Sequence, residues 1–458
     1  MSAAVAASGA AASPRRRPRL ARTGLAAVLL AVVASVLAYA LQAMGLSGER
    51  PDNLVAYGIA FGCLSLAGWF AIRRTARAAD PVLYPTAILL SGLGLAMLFR
   101  IMTANGAPEV ARYQAVWLAI GLVCLVVTLF VLRDIRQLDA YTYTIGLAGL
   151  ILLLLPVVPG IGTEINGAKL WIDLGFLSFQ PAEPGRILIV IFLASYLSQR
   201  RELLAAGVGR LGLPRPKDLG PLLLAWGVAL AVLFLERDMG ASLLLFGVFI
   251  VMMWVATGRW SYLVLGLLLF AIGAFVGYLA FSHVQVRVDS WLHAMDPKLV
   301  ADEGYQLSQG WFALASGGTV GTGLGLGSPT LIPYVGSDFI LAAFGEELGM
   351  LGVAAVLLLY LVLVGRGLRI AVERHDGFEK LLAVGLTTVL GLQVFVIAAG
   401  VLRLIPLTGV PLPLVSYGGT SRVATAVILA LLLRTSAGPW LRARRDRRGT
   451  TEAAKEAS

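Results

Sequence analysis

The side chains able to do chemistry in this chain of 458 residues crowd into four stretches set between long apolar runs. The first reads N-G-A-K-L-W-I-D-L-G at 166–175 and F-Q-P-A-E-P-G-R at 179–186. Glu183 and Arg186 stand three apart in a first helical turn and so share a face, either as an interfacial ion pair or as a pair set to bind a polar substrate. Trp171 has the character of a headgroup-level anchor. The second stretch is only E-R-D-M-G, residues 236–240, wedged between two apolar runs. Charges at membrane depth are costly unless paired, so these face a protein interior or a wet cavity, and Arg237 has Asp238 or Glu236 as a structural partner.

The third stretch carries Arg287, Gln306, Gln309, a glycine run S-G-G-T-V-G-T-G-L-G at 316–325, and Ser337-Asp338-Phe339 before the next apolar run. Glycine-rich backbone can cradle phosphates, yet no strand precedes this run and no nucleotide pool exists outside a membrane, which excludes a dinucleotide-binding fold. Asp338 reads either as a first-turn carboxylate that stabilises the following helix or as a reactive group. Glu346 and Glu347 lie two turns deeper, where a carboxylate is expected to be neutral, paired or lining a cavity. The fourth stretch, Arg403 to Arg422, contains Ser416 among prolines and glycines that break any helix and fold the backbone back against the other loops. From these residues alone a transporter and a membrane-embedded transferase both remain open.

The elements that must position these groups are membrane helices. With 58% hydrophobic and 14% charged residues, the composition requires the bilayer as solvent. Twelve apolar stretches of spanning length predict helices near 24–43, 54–72, 84–102, 113–132, 143–160, 184–199, 219–236, 240–257, 260–281, 339–365, 381–402 and 413–434. With the N-terminus inside, 27 of the 37 Lys and Arg fall in cytoplasmic segments, which places both termini in the cytoplasm of a multi-pass inner-membrane protein. The net charge of +11 is thereby explained by topology, with no nucleic-acid partner. The two largest outer loops are then 161–183 and 282–338, both expected to be ordered irregular backbone around a polar site. The first apolar run follows an arginine cluster and ends in Ala38-Tyr39-Ala40, but its length favours an uncleaved helix over a signal peptide. Cys63 and Cys124 fall within spans and the three histidines lack ligand spacing, so neither a disulfide nor a zinc centre is expected.

At these motifs the chain resembles the SEDS family, the RodA and FtsW proteins, over residues 84 to 434. The resemblance rests on the segments quoted above and on R-D-M-G-A-S (237–242), G-Y-Q-L-S-Q (304–309), S-D-F-I-L-A-A-F-G-E-E-L-G (337–349) and P-L-T-G-V-P-L-P-L-V-S-Y-G-G-T-S (406–421). It implies an all-α polytopic fold and peptidoglycan glycosyl transfer, with lipid II polymerised at the outer leaflet. It also implies Asp338 as the catalytic residue and Asp238, Glu183 and Arg186 as the family's other site positions. Departures are Arg186 where the family more often has Lys, Leu170 where it has Arg, and Glu236-Arg237 where it has Gln-Pro; Lys169 is placed to supply the charge missing at 170.

Two helices more than the usual ten, G-A-K-L-W, and L-P-R-P-K-D-L at 213–219 resemble the actinobacterial RodA branch, which implies cell elongation; a division polymerase of the FtsW type and a lipid II flippase are the alternatives. The expected organisation is a basic tail (1–23), two extra helices (24–83), the glycosyltransferase core (84–436) and a cytoplasmic tail (437–458), both tails disordered by composition. The implied reaction needs a base, Asp338, and positive charge at the departing diphosphate, for which Arg287, Lys169, Arg186 and Arg403 are available, with Gln306 and Ser416 as further substrate contacts. A divalent cation, Mg²⁺ or Mn²⁺, suits carboxylates and phosphate oxygens. Lacking a transpeptidase domain, the chain is expected to work with a single-span class B penicillin-binding protein.

Overall fold

The computed structural model describes residues 17–456 except 166–167, 174, 176–177, 207–219, 221–226, 228–229, 232–237 and 298. The helices are α1 (Arg17–Ser47), α2 (Leu54–Thr75), α3 (Leu83–Ala104), α4 (Pro108–Val131), α5 (Thr142–Leu154), α6 (Ala182–Gln199), α7 (Arg201–Ala206), α8 (Met239–Thr257), α9 (Trp260–Ala280), α10 (Ser282–His293), α11 (Tyr305–Gly317), α12 (Ile340–Val372), α13 (Gly377–Val401) and α14 (Gly419–Glu456). Ten described helices are long and apolar enough to cross a membrane. Of the twelve expected spans, the one at 184–199 is α6, whose Glu183 and Arg186 dilute its hydropathy, and the one at 219–236 lies outside the described residues, apart from a few positions. The composition of 437–458 predicts a disordered tail, whereas α14 continues to Glu456, as the helix propensity of its Ala, Arg and Glu permits.

Surface exposure follows the bilayer. Leu30, Val33 and Phe70 on α1 and α2 and Leu267 and Phe275 on α9 are exposed, while α3, α13 and the membrane part of α14 are largely buried at the centre. The extra pair is bound to the core: α1 packs along α3, and α2 against α1 and α4. Gly92 lets α3 approach α1 at Ser35, and Gly68 lets α2 approach Tyr84, whose hydroxyl donates to Ser65 O at 2.8 Å.

The loops at 161–183 and 282–338 carry more regular structure than their composition suggests. The first holds a three-stranded antiparallel sheet, β1 (Thr163–Ile165), β2 (Ala168–Asp173) and β3 (Ser178–Phe179), with Glu164 opposite Lys169. The second holds α10 and α11. In α10, Val284, Val288 and Trp291 recur at helical spacing beside polar positions, so a short amphipathic helix forms where a polar composition alone suggests irregular backbone.

The glycine run belongs to α12. This element is 33 residues long, more than a bilayer needs, and it breaks at Gly349, where φ is 68° and ψ −172°. The loop at 318–323 threads into the break. Its Thr322 and Gly323 amides donate to the Glu346 and Glu347 carbonyls at 2.9 and 3.0 Å, and its Gly318 and Thr319 carbonyls accept from Met350 and Leu351 at 2.9 and 3.2 Å. The loop thus satisfies the backbone groups left over on both sides of the break, as an apolar surrounding demands. Residues 350–372 then measure roughly 35 Å, a membrane span.

Candidate functional site

Asp338 sits in the turn immediately before α12, half-buried, and accepts from Ser337 Oγ at 2.9 Å. The N-cap position of α12 is Phe339, which makes no side-chain capping bond. Of the two readings open from sequence, the capping hydrogen bond is therefore not what this carboxylate makes. The turn is fixed from the fourth stretch: Tyr417 N donates to Gly336 O at 2.7 Å, Ser416 Oγ donates to Ser337 O, and the same hydroxyl accepts from Leu412 N at 2.9 Å. Ser416 is 2% exposed, so its hydroxyl is spent on the loops that hold Asp338.

Arg287 is a cation whose field reaches both aspartates. It lies on α10, donates to Leu407 O at 3.1 Å, and its positive charge acts on both Asp338 and Asp238. Asp238 caps α8 by accepting from Ala241 N at 2.8 Å and also feels the charge of Arg186. Gly240 makes this meeting feasible, since a Cβ there would lie 2.2 Å from Val410 and 2.9 Å from Thr408 O. Arg186 pairs with Glu183 at 3.4 Å, both side chains are nearly inaccessible, and Arg186 Nη1 has no hydrogen-bond partner among the described residues. Glu236 and Arg237 lie outside the described residues, so the pairing expected for them is not described.

Gln306, on α11, donates to Pro333 O at 3.0 Å and approaches the Asp338 carboxylate. The result is a cluster of Asp338, Asp238, Arg287, Arg186 and Glu183 drawn from α6, α8, α10 and the entrance of α12. Burial pushes the carboxyl of Asp338 above the usual carboxylate value, opposed by Ser337, Arg287 and Gln306. Burial likewise raises Asp238, opposed by Ala241 N–H, Arg186 and Arg287.

Two expected site residues lie apart from this cluster. Lys169 is an exposed residue of β2 across from Glu164. Arg403, with φ 57°, donates to Trp291 O and Leu292 O at 2.7 and 2.6 Å and lies over the Trp311 ring at 5.6 Å, so it ties off the end of α10.

Sequence reasoning gave no role to Arg100 or Arg422. Arg100 pairs with Glu347 at 3.2 Å and donates to Gly327 O at 2.6 Å, while Glu347 accepts from Gly325 N at 3.0 Å, so the glycine loop is locked onto α12 by a buried ion pair. Arg422 donates to Val415 O at 3.2 Å and holds the loop that carries Ser416. A single arginine inside an apolar run was the available signal for Arg100.

Chemically, the cluster offers two carboxyl groups, Asp338 and Asp238, that burial holds short of easy ionisation, together with the guanidinium groups of Arg287 and Arg186. That combination can take a proton from a hydroxyl and stabilise an anionic leaving group in one place.

Comparison with known proteins identifies the family. Residues 82–438 match the family model of FtsW, RodA and SpoVE, described as cell cycle protein. The chain is 45% identical to the peptidoglycan glycosyltransferase RodA of Mycobacterium tuberculosis over 398 residues, covering 85% of this chain and 84% of the relative. It is 32% identical to a probable peptidoglycan glycosyltransferase FtsW of a Geobacter species, covering 78% of this chain and 96% of the other. A solved structure described as the structural coordination of polymerization and crosslinking by a peptidoglycan synthase complex aligns with TM-score 0.63 and 29% identity, over 78% of this chain and 97% of the other.

Proposed function

The chain belongs to the cell-cycle protein family of FtsW, RodA and SpoVE, and from that premise we propose that it polymerises lipid II with Asp338 as general base. It is a multi-pass membrane protein and a peptidoglycan glycosyltransferase of the RodA type. The observation that carries the proposal is the half-buried Asp338 carboxylate held in the turn before α12 by Ser337 and by the loop of Ser416 and Tyr417.

In the proposed reaction, the acceptor sugar hydroxyl gives its proton to the Asp338 carboxylate. Its oxygen forms a bond to the donor's anomeric carbon, and the bond from that carbon to the diphosphate oxygen breaks, inverting the centre. Arg287 stabilises the charge left on the departing polyprenyl diphosphate, and the buried Arg186, paired with Glu183, adds positive potential at longer range. Asp238 orients the two arginines, Glu183 fixes Arg186, and Gln306 holds the base. Ser416 and Arg403 act through the loops they tie down, and Lys169 reaches the substrate from the β-sheet loop.

A divalent cation is part of the proposal as a group that Asp238, Asp338 and substrate phosphates would hold, supplying further positive charge to the leaving group. Mg²⁺-type sites of this kind use one or two protein carboxylates. Among the described residues no three His, Cys, Asp or Glu side chains group into a metal cage. We also propose a class B penicillin-binding protein as partner, supported by the likeness to the synthase complex.

A pH profile tests the base. Asp338 works when ionised, so activity should rise with pH through an apparent pKa above the ordinary carboxylate value. Arg287→Gln removes a charge that favours the anion, so this limb should move to higher pH. An unmoved limb in Arg287→Gln, with activity still measurable, would separate Arg287 from the base. For orientation, the basic-residue bias supports cytoplasmic termini and an outer 282–338 loop; a cysteine placed at 302 should react from outside, and reaction only from the cytoplasm would reverse the assignment.

A further inference from the structure

A cavity of about 660 Å³ lies at the end of the bundle remote from Asp338. Arg366, in its wall, stands 17 positions beyond the break at Gly349, which is roughly 25 Å of helix on the side of the break away from Asp338. The cavity is bounded by α1, α2, the turn at 76–82 and the far end of α12, so much of its wall precedes the residues matched to the family. None of the reaction groups described above borders it.

Its charges are unevenly satisfied. Asp80 accepts Arg366 through both Nε, at 2.8 Å, and Nη2, and also accepts from Val82 N at 2.9 Å. Glu373 accepts from Arg369 at 2.9 Å. Arg73 and Arg77 line the same cavity, and among the described residues neither has a carboxylate within ion-pairing distance. Arg73 lies over the Trp69 ring at 5.7 Å, which fixes its guanidinium against an apolar wall completed by Tyr84 and Ile370. Just outside, Leu30, Val33 and Phe70 present exposed apolar surface on the same two helices.

We propose that this cavity binds the phosphodiester headgroup of an anionic phospholipid, with Arg73 and Arg77 on the phosphate and the acyl chains along α1 and α2. Arg73 at the end of α2 and the exposed Arg77 in the turn that follows, both without a carboxylate partner among the described residues and beside a lipid-facing surface, match that ligand in charge and in amphipathicity. The volume suits a headgroup and its glycerol. The inference is independent of Asp338 and of the polymerase reading.

Native mass spectrometry of the full chain, released from detergent with added phosphatidylglycerol or phosphatidylcholine, tests it. Phosphatidylglycerol should be retained and phosphatidylcholine lost. The Arg73→Gln/Arg77→Gln variant should retain the anionic lipid on the order of ten-fold less, whereas Arg74→Gln, which changes an exposed arginine outside the cavity, should match wild type. Ala78→Phe, which adds bulk at a lining position without touching the cavity's charge, should also lose the lipid, and this guards against a double variant that fails to fold. Equal retention by wild type, the double variant and Ala78→Phe would overturn the proposal. Displacement of the lipid by millimolar inorganic phosphate would overturn the lipid reading in favour of a simple anion site.

Discussion

Asp338→Asn is expected to lower glycan polymerisation by on the order of 10²-fold or more while leaving the protein folded. Asn preserves the shape of the side chain and can still accept from Ser337 Oγ, so the turn before α12 should persist. Stability supplies a second readout. The folded-state pKa of Asp338 is raised, so the folded protein favours the acid form, and ionisation weakens it as pH climbs from the ordinary carboxylate value through the raised one. Above that value the penalty is fully present. At neutral pH the Asn variant should therefore melt at or above the wild-type temperature. A large activity loss accompanied by a clearly lower melting temperature would point to a structural role instead.

Gly349→Ala should be the most damaging of the small substitutions in the glycine-rich region. An L-residue at φ 68° with ψ near 180° is strained, and its Cβ would lie 2.4 Å from Gly321 N and 2.5 Å from Thr319 O. Both are backbone atoms of the loop threaded into the break, so no side-chain rotation relieves the contact. The expected cost is roughly 4 kcal/mol or more, read as a fall in melting temperature in detergent. Gly365→Ala, where a Cβ would meet nothing within 4 Å, is the matched control and should melt close to wild type. Similar melting of the two variants would mean that the loop does not support α12 as described.

The membrane helices were legible because apolar length is a local property, and the bilayer reads it directly. Asp338, Asp238, Glu183 and Arg186 were legible as types in motifs, and the fold places Asp238 where the charges of Arg186 and Arg287, from elements far apart in the chain, act on it. That placement leaves no periodic signature. The glycine run shows the limit most clearly. Its composition allowed an anion cradle, yet its amides and carbonyls are taken by α12, more than twenty residues later, and by Glu347. Arg403 was read as a free outer cation because its acceptors, the Trp291 and Leu292 carbonyls, become available only where α10 ends. The strands around Lys169 and the helix α10 are short pieces whose stability comes from their surroundings, not from propensity.

The central claim is that this chain itself joins lipid II units, using Asp338. Purified chain in detergent, with a class B partner whose transpeptidase serine is replaced, leaves glycosyl transfer as the available polymerising chemistry and removes any compartment across which a flippase could act. Incubation with labelled lipid II should yield a ladder of uncrosslinked glycan strands, and the same preparation carrying Asp338→Asn should yield almost none. A ladder of equal intensity from the Asn variant, or unchanged lipid II from wild type under conditions where the complex stays intact, would contradict the account.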